Sequence, residues 1–165
     1  MYYFFSASLP ELRPGEVPPL TLAEFDAEAA EQLTSRHYEL MISDDPRARV
    51  CGEMRRFEEF LRTRIAERRA EKLRQSVDFP EPEEFYGGID AALDAAAQLN
   101  PAERERAVDL LRWQMLDELT GTNDFDFDHI CAYRAKLRLA EKYRGRDAKA
   151  GRDFFDSAVR EMAQL

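Results

Sequence analysis

Asn123, Asp124, Asp126 and Asp128 form the densest polar cluster in the chain. Carboxylates at every second position open a calcium loop, which also needs Gly at its sixth position and Glu at its twelfth. Counted from Asp124, those positions hold His129 and Ala135, so no calcium site is expected. A simpler role fits the residue types. Short acidic side chains accept from the free amides at a helix start and suit its positive end. Phe125 and Phe127, interleaved with them, are expected to anchor that turn in the core.

The thiols and imidazoles are sparse: Cys51, Cys131, His37 and His129. His129 and Cys131 are near each other, but residues i and i+2 of a helix point to different faces and cannot share a metal. Two cysteines are too few for a disulfide scaffold. None of the glycine-rich phosphate loops, serine elbows or zinc-binding histidine pairs occurs. Asp and Glu are too abundant for any pair to stand out as a general acid and base. The expectation is a protein without catalytic, cofactor-binding or metal-binding residues, and not an enzyme.

Composition sets further bounds. The chain has 165 residues, 44% of them hydrophobic and 11% aromatic, enough for a sizeable core despite 35% charged residues. A net charge of −9 argues against general nucleic-acid binding or attraction to anionic lipid. The longest uncharged run, Met1 to Pro10, is far short of the roughly twenty apolar residues a spanning helix needs. The chain lacks the basic start and small-residue cleavage site of a secretory signal. A cytoplasmic protein without direct membrane insertion is expected.

The elements that position these residues are helical: one all-α domain over 1–165, an irregular bundle of six or seven helices behind an extended, proline-rich arm at 1–20. Tyr2, Tyr3, Phe4 and Phe5 of the arm are expected to pack on the body. Thr21-Leu-Ala-Glu24 is a capping box opening a helix to about Leu33, with Leu22, Phe25, Ala29 and Leu33 inward. A short helix follows from about Ser35 to Ile42. Asp45-Pro46 signals the next start, Asp as N-cap and Pro at the first helical position, opening a long basic helix over 46–74. Val50, Met54, Phe57, Leu61 and Ile65 form its apolar stripe, which thins to Ala66, Ala70 and Leu73. Residues 75–88 make an ordered linker, and a helix is expected over about Ile89 to Leu99. Asn100-Pro-Ala-Glu103 caps another, ending at Gly121. A helix from Asp126 or Phe127 to Arg144 has Ile130, Tyr133, Leu137 and Ala140 inside. The last, about Ala148 to Ala163, has Phe154, Phe155, Ala158 and Met162 inside.

Charge is unevenly spread. Residues 46–75 carry ten basic and five acidic side chains, whereas residues 76–100 carry six acidic and none basic. Arg62, Arg64, Arg68, Arg69, Lys72 and Arg74 crowd the end of the long helix. Three readings stand: solvated or internally paired faces, docking of an acidic partner or second copy, and RNA binding, which the net charge and the lack of a recognition motif oppose. Trp113, with Leu110 and Leu116 beside it on one helix, is either core or an interface anchor.

The blocks Tyr2-Tyr3-Phe4-Phe5-Ser6-Ala7-Ser8-Leu9-Pro10, Pro18-Pro19-Leu20 and Glu24-Phe25 resemble the opening of a bacterial family encoded within V-type (vacuolar/archaeal-type) ATPase operons. So do Phe57-Glu58-Glu59-Phe60-Leu61-Arg62 with Arg69-Ala70-Glu71-Lys72-Leu73, Arg112 through Leu119, and Phe125-Asp126 with Ala132 through Leu137. The resemblance implies a stand-in for the socket component of the ATPase central stalk, an all-helical funnel joining the rotating shaft to the membrane ring. Ala132-Tyr133, Lys136, Glu141 and Arg146 loosely resemble a stretch of that component's C-terminal lobe. The stalk socket is about twice this length, so one such chain supplies part of it. The resemblance therefore implies a non-catalytic subunit or assembly factor that binds other V-type ATPase subunits, of the stalk or shaft, and lies peripheral to the inner membrane. The candidate partner-binding residues are Arg62, Arg64, Arg68, Arg69, Lys72, Arg74 and Trp113. The alternative is a generic helical adaptor or a homodimer through the thinned stripe; a small hydrolase using clustered carboxylates ranks last.

Overall fold

Hydrogen-bonded caps open the helices where the sequence places them. Glu24 N donates to Thr21 Oγ1 at 3.2 Å, and Thr21 N donates back to Glu24 Oε2 at 2.7 Å, a complete capping box. Asn100 Oδ1 accepts from Glu103 N at 2.9 Å, with Pro101 at the first helical position. Asp126 Oδ1 accepts from His129 N at 3.0 Å. The computed structural model describes residues 2–122, 125–146 and 148–163. Those residues form eight α-helices and no strand: α1 (Tyr3–Ser8), α2 (Leu22–Gln32), α3 (Ser35–Ile42), α4 (Arg49–Lys72), α5 (Ile89–Ala96), α6 (Pro101–Thr120), α7 (Phe127–Glu141) and α8 (Ala148–Ala163). Asn123 and Asp124 of the acidic cluster lie outside the described residues.

Two expectations about the first fifty residues need correction. The arm is not extended throughout, because its aromatic start is α1, the helix beyond the seven expected. The helical turn sends only one side inward: Tyr2 and Phe5 are buried, while Tyr3 and Phe4 are exposed. The rest of the arm is held by side chains of and just beyond α7. Tyr133 Oη donates to Pro10 O at 2.7 Å, and Arg144 Nη2 donates to Pro18 O at 2.9 Å and Leu20 O at 3.2 Å. The second correction concerns the start of α4. Asp45 does not cap it, because its carboxylate is held locally by Arg47, through N at 2.9 Å, Nε at 3.0 Å and Nη2 at 2.7 Å. Pro46 therefore sits in a turn, and the helix opens three residues later, from Ala48. That turn folds back onto α4, where a Cβ at position 52 would come within 2.6 Å of the Pro46 carbonyl oxygen. Glycine at 52 is what allows this approach.

Helix ends are closed without glycine in two places. Arg74, at φ 54°, ends α4 with Gln75 N donating to Ala70 O at 2.9 Å. Asp44, at φ 50°, does the same for α3, with Asp45 N donating to Leu40 O at 2.9 Å. Both are left-handed closures that satisfy orphan carbonyls.

The core has two parts. The larger surrounds α7, where Ile130 and Leu137 are fully buried against Phe25, Met41, Val50 and Leu116. Phe5, Phe25 and Tyr133 stack in succession, with centroids 5.8 and 5.4 Å apart. The smaller gathers Phe57, Phe60 and Leu61 of α4 with Ile89 and Leu93 of α5, and Met54 touches both. The α4 stripe thus faces inward as expected, with Met54 and Ile65 half-buried. Tyr86 ties the linker to the body, 5.2 Å from the Phe57 ring and 5.1 Å from Phe60.

The inner face expected of α8 is not inner. Phe154, Phe155 and Met162 are 78%, 67% and 67% exposed, and Ala158 is half-buried. Periodicity shows that a helix has an apolar face; it does not show what covers that face. Where α1 and α2 meet α7, the aromatic stack fills the space.

Gly52→Ala tests the turn at Pro46. Forcing a Cβ against a backbone oxygen should cost about 1–3 kcal/mol, read as a lowered urea midpoint with an unchanged slope.

Candidate functional site

The end of α4 is expected to present its cations together. The structure divides them. Arg68 Nη2 meets Asp90 Oδ1 and Arg68 Nε meets Asp94 Oδ1, both at 3.0 Å on α5. Arg64 pairs with Glu67 at 2.9 Å and Asp90 at 3.6 Å, and its guanidinium lies 5.3 Å from the Phe60 centroid. These two join the basic helix to the acidic segment after it, a local use of the charge asymmetry in the sequence. Arg62, Arg69, Lys72 and Arg74 are exposed and make no side-chain ion pair among the described residues. They form an open basic strip beside Leu73, which is 58% exposed.

Trp113 is core. It is 7% exposed, and Lys136 Nζ lies 5.5 Å from its ring centroid, so it cannot anchor a partner without unpacking α6.

Sequence reasoning misses a polar network that crosses the bundle. Asp109, 5% exposed, accepts from Arg112 Nη1 at 2.8 Å and Lys142 Nζ at 2.9 Å. Arg112 also grips Glu58 with two bonds, at 2.5 and 3.2 Å. Arg134, on the buried face of α7, holds Asp26 at 2.8 and 3.1 Å, and Arg138 holds Asp44 at 2.7 and 2.8 Å. No local motif marks this network, since apart from Asp109 and Arg112 the partners lie 33 to 108 residues apart. Of the acidic cluster, Asp126 caps α7 and Asp128 takes Arg49 Nε at 2.7 Å. Both are structural uses of carboxylate.

The two cysteines meet. Cys51 on α4 and Cys131 on α7 are free thiols that interact side chain to side chain. This contact, with help from Arg138 and Arg134 nearby, lowers the Cys51 pKa, while the same contact and burial push Cys131 up. Cys51 is therefore the more acidic of the pair. Their spacing carries no hint of this, because 80 residues separate them.

Another surface feature is the apolar side of α8, with Phe154, Phe155, Val159 and Met162 all exposed. These residues fall at helical spacing on one side.

Two outcomes are expected. Trp113→Ala should cost about 3–5 kcal/mol in urea unfolding as a large-to-small core change, and acrylamide should quench the native indole poorly. Burial raises Tyr133 to about 12, and burial with a bond to Glu84 raises Tyr86 to about 12. A folded-state pKa above the unfolded one means that stability from these phenols is complete below about pH 10 and is lost as pH rises towards 12. Burial raises Tyr143 as well, so phenolate absorbance at 295 nm should show these three tyrosines titrating late, together with the loss of helical ellipticity.

Residues 54–164 match a family described as protein of unknown function, DUF2764. No curated protein and no solved structure matches the chain. The match runs from Met54 in α4 through α8, two thirds of the sequence, and the chain belongs to the DUF2764 family.

Proposed function

We propose that the protein is a non-catalytic interaction subunit, or assembly factor, of a bacterial V-type ATPase. The observation that carries the interaction reading is α8, an amphipathic helix whose aromatic face meets solvent. Exposed rings at helical spacing are what a helix-in-groove contact uses. The open cations Arg62, Arg69 and Lys72 on α4 and Arg74 just beyond it supply rim charge that favours an acidic partner. The V-type ATPase assignment rests on the resemblance of the ordered sequence blocks. On this reading the protein works in the cytoplasm and reaches the membrane through the complex. No helix among the described residues is long and apolar enough to cross a membrane.

A second reading uses the same face of α8 to join two copies of the chain. Light scattering at high concentration separates the two, because a monomer there removes self-association.

The test is affinity purification of the full chain at low and high salt, with co-purifying proteins identified by mass spectrometry. V-type ATPase subunits should be recovered at low salt and reduced at high salt. The double variant Phe154→Glu, Phe155→Glu should reduce recovery by at least about tenfold, given the apolar area lost from the contact. Absence of those subunits at low salt, or equal recovery with the double variant, rejects the proposal.

A further inference from the structure

Between α3, α4, α6 and α7 lies a cavity of about 660 Å³, within the size range of small-molecule sites. Two helices line it with the same spacing. Cys51, Arg55, Glu58 and Arg62 recur on α4, and Cys131, Ala135, Arg138 and Lys142 recur on α7 and the turn that follows it, each set at i, i+4, i+7 and i+11. Met41, Val50, Met54, Leu116 and Leu139 give the lining an apolar part. Its charge opposes that of the whole chain. Six cationic side chains and three carboxylates line it, and Asp26 and Asp109 pair with lining cations from behind, which leaves an excess of one positive charge in a chain of net −9.

Four of the six cations are ion-paired: Arg112 with Glu58 and Asp109, Arg138 with Asp44, Lys142 with Asp109, and Arg134 with Asp26. Three retain donors. Arg62 makes no ion pair among the described residues. Arg55 makes one hydrogen bond, to the Asp44 carbonyl at 3.3 Å. Arg134 is 7% exposed; its Nε and Nη2 hold Asp26, but its buried Nη1 has no hydrogen-bond partner. The nearest carboxylate oxygen, Asp44 Oδ1, is 3.8 Å from Nη1. A buried cationic donor without an acceptor is costly and calls for one.

We propose that this cavity is a binding site for a small organic phosphate. The phosphoryl group is taken by Arg55, Arg62 and Arg134, whose guanidinium groups suit its oxygens, and the organic part lies on Met54 and Leu139. A phosphoryl head offers three oxygens to these three guanidinium groups, where a carboxylate offers two. The site lies apart from α8 and does not rest on the ATPase assignment, and it shares Arg62 with the proposed partner rim.

Cys51 reports occupancy, because it lines the cavity and is the more accessible of the two thiols. The experiment measures alkylation of Cys51 by iodoacetamide in the full chain at fixed ionic strength. The probes are phenyl phosphate, inorganic phosphate and benzoate, and calorimetry gives the affinities. Phenyl phosphate should slow alkylation saturably and bind more tightly than either other probe. Arg62→Ala, which removes a cation with no ion pair among the described residues, should weaken phenyl phosphate binding about tenfold, the worth of one charge-assisted hydrogen bond. Arg69→Ala, an exposed cation of the same helix outside the cavity lining, should leave binding unchanged. Three results would overturn the proposal: no saturable protection up to about 10 mM, where even a millimolar site would be largely filled; benzoate binding as tightly as phenyl phosphate; or equal effects of the two substitutions.

Discussion

Helix α7 is enclosed on most of its circumference, and that constraint shapes the rest of the bundle. Ile130, Cys131, Ala132, Tyr133, Arg134, Leu137 and Ala140 are all buried. A helix covered on so many sides must use small residues where backbones crowd and must satisfy any charge it carries inside. Ala132 and Ala140 meet the first requirement. Asp26 meets most of the second for Arg134, and removing that carboxylate would leave a buried guanidinium uncompensated, the costly case for an internal ion pair.

Around this axis, charge joins helices distant in sequence. α2 reaches α7 through Asp26, the end of α3 through Asp44, and α4 reaches α6 through Glu58 and Arg112. Most of these pairs are partly exposed, so each adds modestly to stability. Their arrangement does more for specificity, because a shifted helix would strand a carboxylate or a guanidinium. One nitrogen of Arg134 is left over, beside the cavity between α3, α4, α6 and α7 and the thiol pair.

Local structure is legible in the sequence, because caps and stripes are local. Thr21, Asn100 and Asp126 open their helices as their types require, and α3 begins and ends at the expected residues. The helical class follows from the same signals. What stays hidden depends on tertiary competition. Asp45 is drawn to Arg47 instead of to a helix amide, and the aromatic start coils so that only Tyr2 and Phe5 are buried. The expected cationic surface is smaller than the sequence suggests: Arg64 and Arg68 face α5, while Arg62, Arg69, Lys72 and Arg74 stay open. Trp113 is legible only as two alternatives, since nothing in its neighbours reveals how deep α6 lies. The cavity is invisible in the sequence, because its walls come from positions as distant as Met41 and Lys142. α8 shows the opposite error, a real periodicity with no cover.

The tethers on the N-terminal arm have a consequence for where this protein can be divided. The family match begins at Met54, inside α4, and that point is no structural seam. Tyr133, Arg134, Arg138 and Arg144 all spend donors on atoms from the first fifty residues. A fragment cut at the start of the match would lose the first turn of α4 and uncover Ile130 and Leu137. The stretch shared with the family is thus packed on, and hydrogen-bonded to, the helices that precede it.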